Sequence, residues 1–148
     1  MKTAKDILES KGKTVWSISP KAKVYDALKL MGEKEIGALM VMDEKGSVMG
    51  IISERDYARK VILLGKSSRE TLVEEIMTPE EKMIYIKPQG TVEDCMVLMT
   101  GKHIRHLPVC EGGKFAGVIS IGDVIKSLLT EKEDLIEQLS NYIAGKYM

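Results

Sequence analysis

Both histidines of the chain, His103 and His106, fall in the stretch "TGKHIRHLPV", with Arg105 between them and Lys102 just before. Such a cluster could ligate a metal, run acid–base chemistry or meet an anion. Residues three apart share one side of a helix but point to opposite faces of a strand. Leu107, Pro108 and Val109 begin a strand, so the two histidines are not expected to converge, and no Cys, Asp or Glu stands at a zinc-like spacing around them. No Ser-His-Asp, Cys-His or paired-acid arrangement can be assembled either, so neither a metal site nor a catalytic residue is assigned. His103 reads as the exposed end of a helix. For Arg105 and His106 two readings stay open, an anion grip and the polar start of a strand.

The second pattern that could do chemistry is "GIISERD", Gly50 to Asp56, matched by "GVISIGD", Gly117 to Asp123. Ser-x-x-Asp before a helix is nearly a capping box, the serine satisfying free N–H groups and the acid favoured by the helix dipole. The same geometry can hold a phosphate or ribose oxygen at the helix start. An aspartate one turn in has two acceptor oxygens for the two hydroxyls of a ribose. The pattern occurs twice, each time after a glycine that lets another group approach the strand closely, which adds weight to the ligand reading.

These segments sit in a repeat. "WSISPKAKVYDALKLM" and "IYIKPQGTVEDCMVLM" keep one register, Pro20 with Pro88, Val24 with Val92 and Met31 with Met99, 68 positions apart. The Gly-x-Ile-Ser segments stand 67 apart, so one residue is lost in between. Each copy, about 65 residues long, is too small to bury a good core alone and can do so against its twin. Each reads as strand, helix, strand, strand, helix. Val24, Ala27, Leu28 and Met31 form the apolar stripe of the first helix, and Val92, Cys95, Met96 and Met99 repeat it. "IGALMVM" and "SVMGIIS" pair through the turn "DEKG", "IRHLPVC" and "KFAGVIS" through "EGG". The boundaries expected are 1–65 for repeat one, 66–80 for a linker with a short helix that Thr71 and Glu74 are placed to cap, 81–131 for repeat two, and 132–148 for a C-terminal helix. In that last helix Leu135, Ile136, Leu139 and Ile143 share one side, to close the domain or to face a second subunit.

Composition narrows the partners. Among 148 residues, 22 basic and 22 acidic side chains cancel, which leaves no global field for nucleic acid or an anionic membrane. Nucleic-acid binding through Arg55, Arg59, Lys60 and Lys66 is disfavoured on that ground. No apolar run approaches the roughly 18 residues that span a bilayer, and "MKTAKDILESKGK" lacks the apolar core of a secretory signal, so a cytoplasmic protein is expected. Cys95 and Cys110 lie in apolar surroundings and read as buried free thiols.

The doubled unit with "GIISERD", "GVISIGD" and "KHIRHLPV" resembles a tandem pair of cystathionine β-synthase (CBS) domains, the Bateman module, over about Ala4 to Glu131. "ERDYARKVILLGKSS" and "SIGDVIKSLL" further resemble the stand-alone two-domain proteins of bacteria and plant organelles. The resemblance implies an α+β fold of two pseudo-twofold-related β-α-β-β-α repeats packed through their sheets, with no catalytic activity and no obligatory cofactor. It implies an adenine nucleotide, AMP first with ATP or NAD(H) as alternatives, bound in clefts between the repeats. Carried over by position, Asp123 and Asp56 hold the ribose, and Ser120 and Ser53 lie near ribose and phosphate. The adenine would sit against Ala22, Ala27 and Ile36 for the Asp123 site, and against Gly90, Cys95 and Ile104 for the Asp56 site. Arg105 and His106 would meet the phosphate.

Repeat one has Gly37 and Ala38 opposite Arg105 and His106, and Glu54 and Arg55 opposite Ile121 and Gly122. The Asp123 site is therefore expected to bind a phosphorylated ligand best. The Asp56 site, with Arg55 and Arg59 assisting, would be weaker, empty or used for half of a dinucleotide. The resemblance further implies a homodimer that passes occupancy to a regulated partner protein, with Trp16 and the C-terminal helix as surfaces that change. The alternative is an interaction scaffold whose nucleotide clefts are vestigial.

Overall fold

The computed structural model describes residues 2–12 and 14–144. The chain forms two compact α+β units, Thr14–Met83, and Met1–Lys13 together with Ile84–Met148. Its elements run α1 (Ala4–Lys11), β1 (Ser17–Ile18), α2 (Val24–Lys34), β2 (Ala38–Met42), β3 (Val48–Ser53), α3 (Glu54–Tyr57), α4 (Val73–Ile76) and β4 (Thr78–Pro79), then α5 (Val92–Lys102), β5 (His106–Glu111), β6 (Lys114–Ser120) and α6 (Ile121–Ile143).

In the Thr14–Met83 unit the sheet order is β1-β2-β3-β4, with β1 parallel to β2 and the other pairs antiparallel. The expected stripe of α2 packs inward: Val24, Ala27 and Met31 are buried with Leu39 and Val41 of β2 and Ile52 of β3. The first strand is shorter than "TVWSIS" suggests, only Ser17 and Ile18 pairing with β2. Trp16 lies half exposed just before it, with the Lys34 ammonium 4.2 Å from its ring centroid. After α3 the chain widens into a π-type turn over Ala58–Ile62, which buries Val61 and leaves Leu63 exposed.

In the other unit β5 and β6 form an antiparallel hairpin from His106↔Ser120 to Glu111↔Lys114. The first strand of the repeat is reduced here to one parallel bridge, Ile86↔Val109. Val92, Cys95 and Met99 of α5 pack on Leu107 and Ile119, with Ile7 and Leu8 of α1 in the same cluster. The helix after the hairpin and the expected C-terminal helix are one element, the 23-residue α6. Nothing between Ile121 and Ile143 breaks it, because Gly122 lies in its first turn and no proline follows. Leu135, Ile136, Leu139 and Ile143 remain exposed rather than closing the core, and the expected helical residues 145–148 lie outside the described ones.

The units divide the chain differently from the order of the repeats. α1 stands before repeat one and packs with repeat two, while α4, from the stretch expected to be a linker, packs with repeat one. The cause is a backbone pattern used twice. Ala4 N–H donates to Gly90 O (2.8 Å), Lys5 N–H to Pro88 O (2.9 Å), and Val92 N–H to Lys2 O (3.1 Å). Val73 N–H to Ala22 O (2.8 Å), Glu74 N–H to Pro20 O (3.0 Å) and Val24 N–H to Thr71 O (2.8 Å) copy it. These bonds satisfy N–H groups that a helix start leaves without partners. The cap of α4 comes not from Thr71 and Glu74 but from the Glu75 carboxylate, which accepts the Leu72 N–H at 2.6 Å. Thr71 Oγ1 donates instead to Ser67 O, and Glu74 accepts Lys21 Nζ.

Candidate functional site

β6 delivers Ser120 in extended backbone to the start of α6. There Asp123 N–H donates to Ser120 Oγ at 3.2 Å, and Ser120 N–H donates to Asp123 Oδ2 at 2.8 Å. The capping half of the Ser-x-x-Asp pattern is thus present in full, and it fixes where the carboxylate points. The hairpin ladder sets His106 opposite Ser120, and the Arg105 carbonyl accepts the Ile121 N–H at 2.8 Å. Lys11, at the end of α1, completes the group: its Nζ donates to Asp123 Oδ2 at 2.7 Å and to Val118 O at 3.0 Å. Lys11, Ser120 and Asp123 therefore meet where one hairpin runs into its helix, with Arg105 and His106 at the opening of the same hairpin.

The electrostatics follow from that grouping. Burial pushes the Asp123 carboxyl up, but the hydrogen bond from Lys11 and the Ser120 N–H outweigh it, and the net shift is below the usual carboxylate value. Burial pushes His106 down, and the positive charges of Lys11 and Arg105 add to it against the pull of Asp123. His106 is accordingly a neutral donor at pH 7, and the cations of this site are Arg105 and Lys11. With 22% and 35% of their side chains exposed, Asp123 and Lys11 are both open to a solute.

In the Thr14–Met83 unit Ser53 and Asp56 make the same cap. Ser53 N–H and Oγ donate to Asp56 Oδ2 at 2.9 and 3.2 Å, and Asp56 N–H donates to Ser53 Oγ at 3.3 Å. Ala38 lies opposite Ser53, and the Gly37 carbonyl accepts the Glu54 N–H at 3.0 Å. No side-chain cation opens this hairpin. Arg55 is half-buried in the first turn of α3, Arg59 is exposed, and Lys60 Nζ stands 3.4 Å from Asp56 Oδ1 while donating to Ile76 O at 2.9 Å.

The apolar positions divide into two kinds. Ala22, Ile36 and Ile104 are half-buried, and so is Gly90, whose missing Cβ is the space taken by the Ile86 side chain. Ala27 and Cys95 have no accessible surface and belong to the two cores, so in this structure they offer nothing to a ligand. Burial, with the charge of Asp94, pushes the Cys95 thiol up to about 11, the behaviour of an inert core cysteine. His103 caps α5 in a left-handed conformation, φ 55°, and is exposed. Among the described residues no three His, Cys, Asp or Glu side chains converge on a metal position, and no helix is long and apolar enough to cross a membrane.

The glycines of the two motifs have an unexpected tenant. A Cβ on Gly117 would lie 2.8 Å from Leu8 Cδ2, and one on Gly50 would run into the Thr78 carbonyl and approach Met77 Sδ to 3.1 Å. The group that approaches each strand is a segment of the same chain, α1 in one unit and the α4–β4 segment in the other.

Two α+β units, each with a hairpin running through Ser-x-x-Asp into a helix, define a tandem-repeat module. The CBS domain profile matches residues 3–62 and 73–130, and the chain belongs to the CBS domain family, with two copies of the domain. It is 41% identical over 152 residues to the mitochondrial CBS domain-containing protein CBSX3 of Arabidopsis thaliana, covering 98% of this chain and 73% of that one. It is 29% identical over 145 residues to the CBS domain-containing protein YhcV of Bacillus subtilis, covering 98% and 91%. Among solved structures, a protein with CBS domains from Burkholderia ambifaria superposes with a TM-score of 0.81 at 48% identity, over 87% of this chain and 95% of that one. CBSX2, solved in complex with AMP, superposes with a TM-score of 0.69 at 26% identity, over 89% and 99%.

Proposed function

We propose that this chain is a non-catalytic regulatory module that binds an adenine nucleotide at its Ser-x-x-Asp segments and passes occupancy to a partner protein. The observation that carries the reading is the group at Asp123: a partly open carboxylate, aimed by Ser120, is paired with Lys11, and the opening of the same hairpin brings the neutral donor His106 opposite Ser120 with Arg105 next to it. An acceptor for a ribose diol next to cations for a phosphate is the chemistry of a nucleotide. The AMP held by CBSX2 supports the same ligand class and puts AMP ahead of ATP and NAD(H). The Asp56 segment, with no cation at its hairpin, is the weaker site.

A ligand shifts a protein only through unequal affinity for two of its states. Regulation therefore requires that occupancy alter a surface seen by a second copy or by the partner. The exposed apolar residues of α6, Leu135, Ile136, Leu139 and Ile143, support a homodimer or partner contact at that helix.

Calorimetric titration with AMP, ATP and NADH tests the reading. AMP is expected to bind and to raise Tm by mass action. Asp123→Asn, which keeps an oxygen for the cap, is expected to lose most of the affinity. If none of the three nucleotides gives heat or raises Tm at millimolar concentration, the scaffold with vestigial sites takes its place.

A further inference from the structure

In both units an ammonium group sits on the aspartate that the nucleotide reading gives to the ribose, and the two lysines come from unrelated positions. Lys60 lies one turn beyond Asp56, while Lys11 reaches Asp123 from 112 residues away. The position of repeat two that matches Lys60 is Ser127, whose hydroxyl is buried without a hydrogen-bond partner. The cation was therefore not simply carried along by the duplication.

Nor does capping call for it. Asp6 with Thr3 and Asp94 with Thr91 form the same capping box at the starts of α1 and α5. Among the described residues neither of those aspartates has an ion pair within 4.0 Å, whereas Asp123 and Asp56 both do. Each ammonium is also tied to a backbone carbonyl, Lys11 to Val118 O at 3.0 Å and Lys60 to Ile76 O at 2.9 Å. The shared feature of the two paired aspartates is their place at the end of a hairpin.

We infer that Lys11 is a specificity residue that makes the Asp123 site select a phosphorylated nucleoside over the bare nucleoside; the inference rests on the nucleotide reading above. Oδ2 of Asp123 already accepts from Ser120 N and Lys11 Nζ. A ribose diol that uses both carboxylate oxygens must displace the ammonium from Oδ2. With adenosine, the broken pair is replaced by nothing but water. With AMP or ATP, the flexible four-carbon stem swings the ammonium to the phosphate on the same ribose, and one charge-assisted contact is exchanged for another.

The test is calorimetry of adenosine and AMP on the full chain, in an Asp56→Asn background that isolates the Asp123 site. Lys11→Met keeps the stem and removes the charge, and Lys11→Gln is a second neutral variant should Met disturb the fold as read by circular dichroism. The neutral variants are expected to bind adenosine about tenfold more tightly, the factor of one charge-assisted hydrogen bond that no longer has to be broken, and AMP about as the parent does. Lys11→Arg is expected to keep the preference for AMP. Equal changes for both ligands, or none, overturn the inference and leave the nucleotide reading standing. If neither ligand binds the parent, or if Asp123→Asn binds AMP as the parent does, the reading falls and the inference with it.

Discussion

The hairpin end at Asp123 and the hairpin end at Asp56 share every backbone feature and differ in their charges. Both have the serine cap, the strand partner opposite it, and a carbonyl from the hairpin opening that accepts the first helical N–H. Only the Asp123 end adds Arg105 and His106 to the hairpin, and only it draws its lysine from a distant helix. Features fixed by backbone hydrogen bonds survive duplication together, because losing one leaves a buried polar group unpaired. Long basic side chains at a partly open site carry no such constraint and have diverged.

The largest expected contrast between the two ends lies in their glycines. Gly50→Ala pushes a Cβ into the Thr78 carbonyl, part of a backbone held by the β3–β4 pairing. Gly117→Ala meets the far end of the Leu8 side chain, which can turn away. Gly50→Ala is expected to destabilise by about 3 kcal/mol and Gly117→Ala by about 1 kcal/mol, the upper and lower ends of overpacking. Urea unfolding of both variants measures the difference. Equal losses would mean that the two strands are approached by equally rigid neighbours.

A smaller effect separates the two hairpin openings. Arg105→Ala is expected to weaken AMP at the Asp123 site by about 1.5 kcal/mol, with adenosine unchanged and binding at the Asp56 site unchanged. Titrations in Asp56→Asn and Asp123→Asn backgrounds read each site alone. Equal losses for AMP and adenosine would deny Arg105 a phosphate role and make it a structural start of β5.

Much of this architecture was legible in the sequence. The repeat, the apolar stripes of α2 and α5, both hairpins and the caps at Ser53 and Ser120 depend on residues close in sequence, and each appears where the pattern puts it. Lys60 was legible as well, since it stands four residues after Asp56 on a helix. Lys11 was not, because its contact depends on α1 packing with the second repeat, and no local spacing records such an exchange. The same exchange hid the tenants of Gly50 and Gly117: the glycines announced a close approach, and only the fold says that α1 and the α4–β4 segment make it. The short first strands escaped for a related reason, since strand length is set by the partner and Ile86 finds only one bridge to Val109. The resemblance carries Ala27 and Cys95 to the adenine, yet their place on the buried stripe of a helix already marked them as core.

The smallest expected effect is a dependence on pH confined to one unit. His106 titrates below its ordinary 6.5 because burial and the charge of Lys11 disfavour the imidazolium. Between that lowered value and 6.5 the unfolded chain holds more protons than the folded one, so stability rises with pH across this window and is lost as pH falls through it. Asp123, also lowered, stabilises above the ordinary carboxylate value of 3.8 and loses that contribution only at more acid pH, so the two groups act in separate windows. The Thr14–Met83 unit contains no histidine and lacks the upper window. Calorimetric melting from neutral to mildly acid pH is expected to show a small decline in Tm. His106→Asn should flatten it. A decline that persists in His106→Asn would place the titrating group elsewhere.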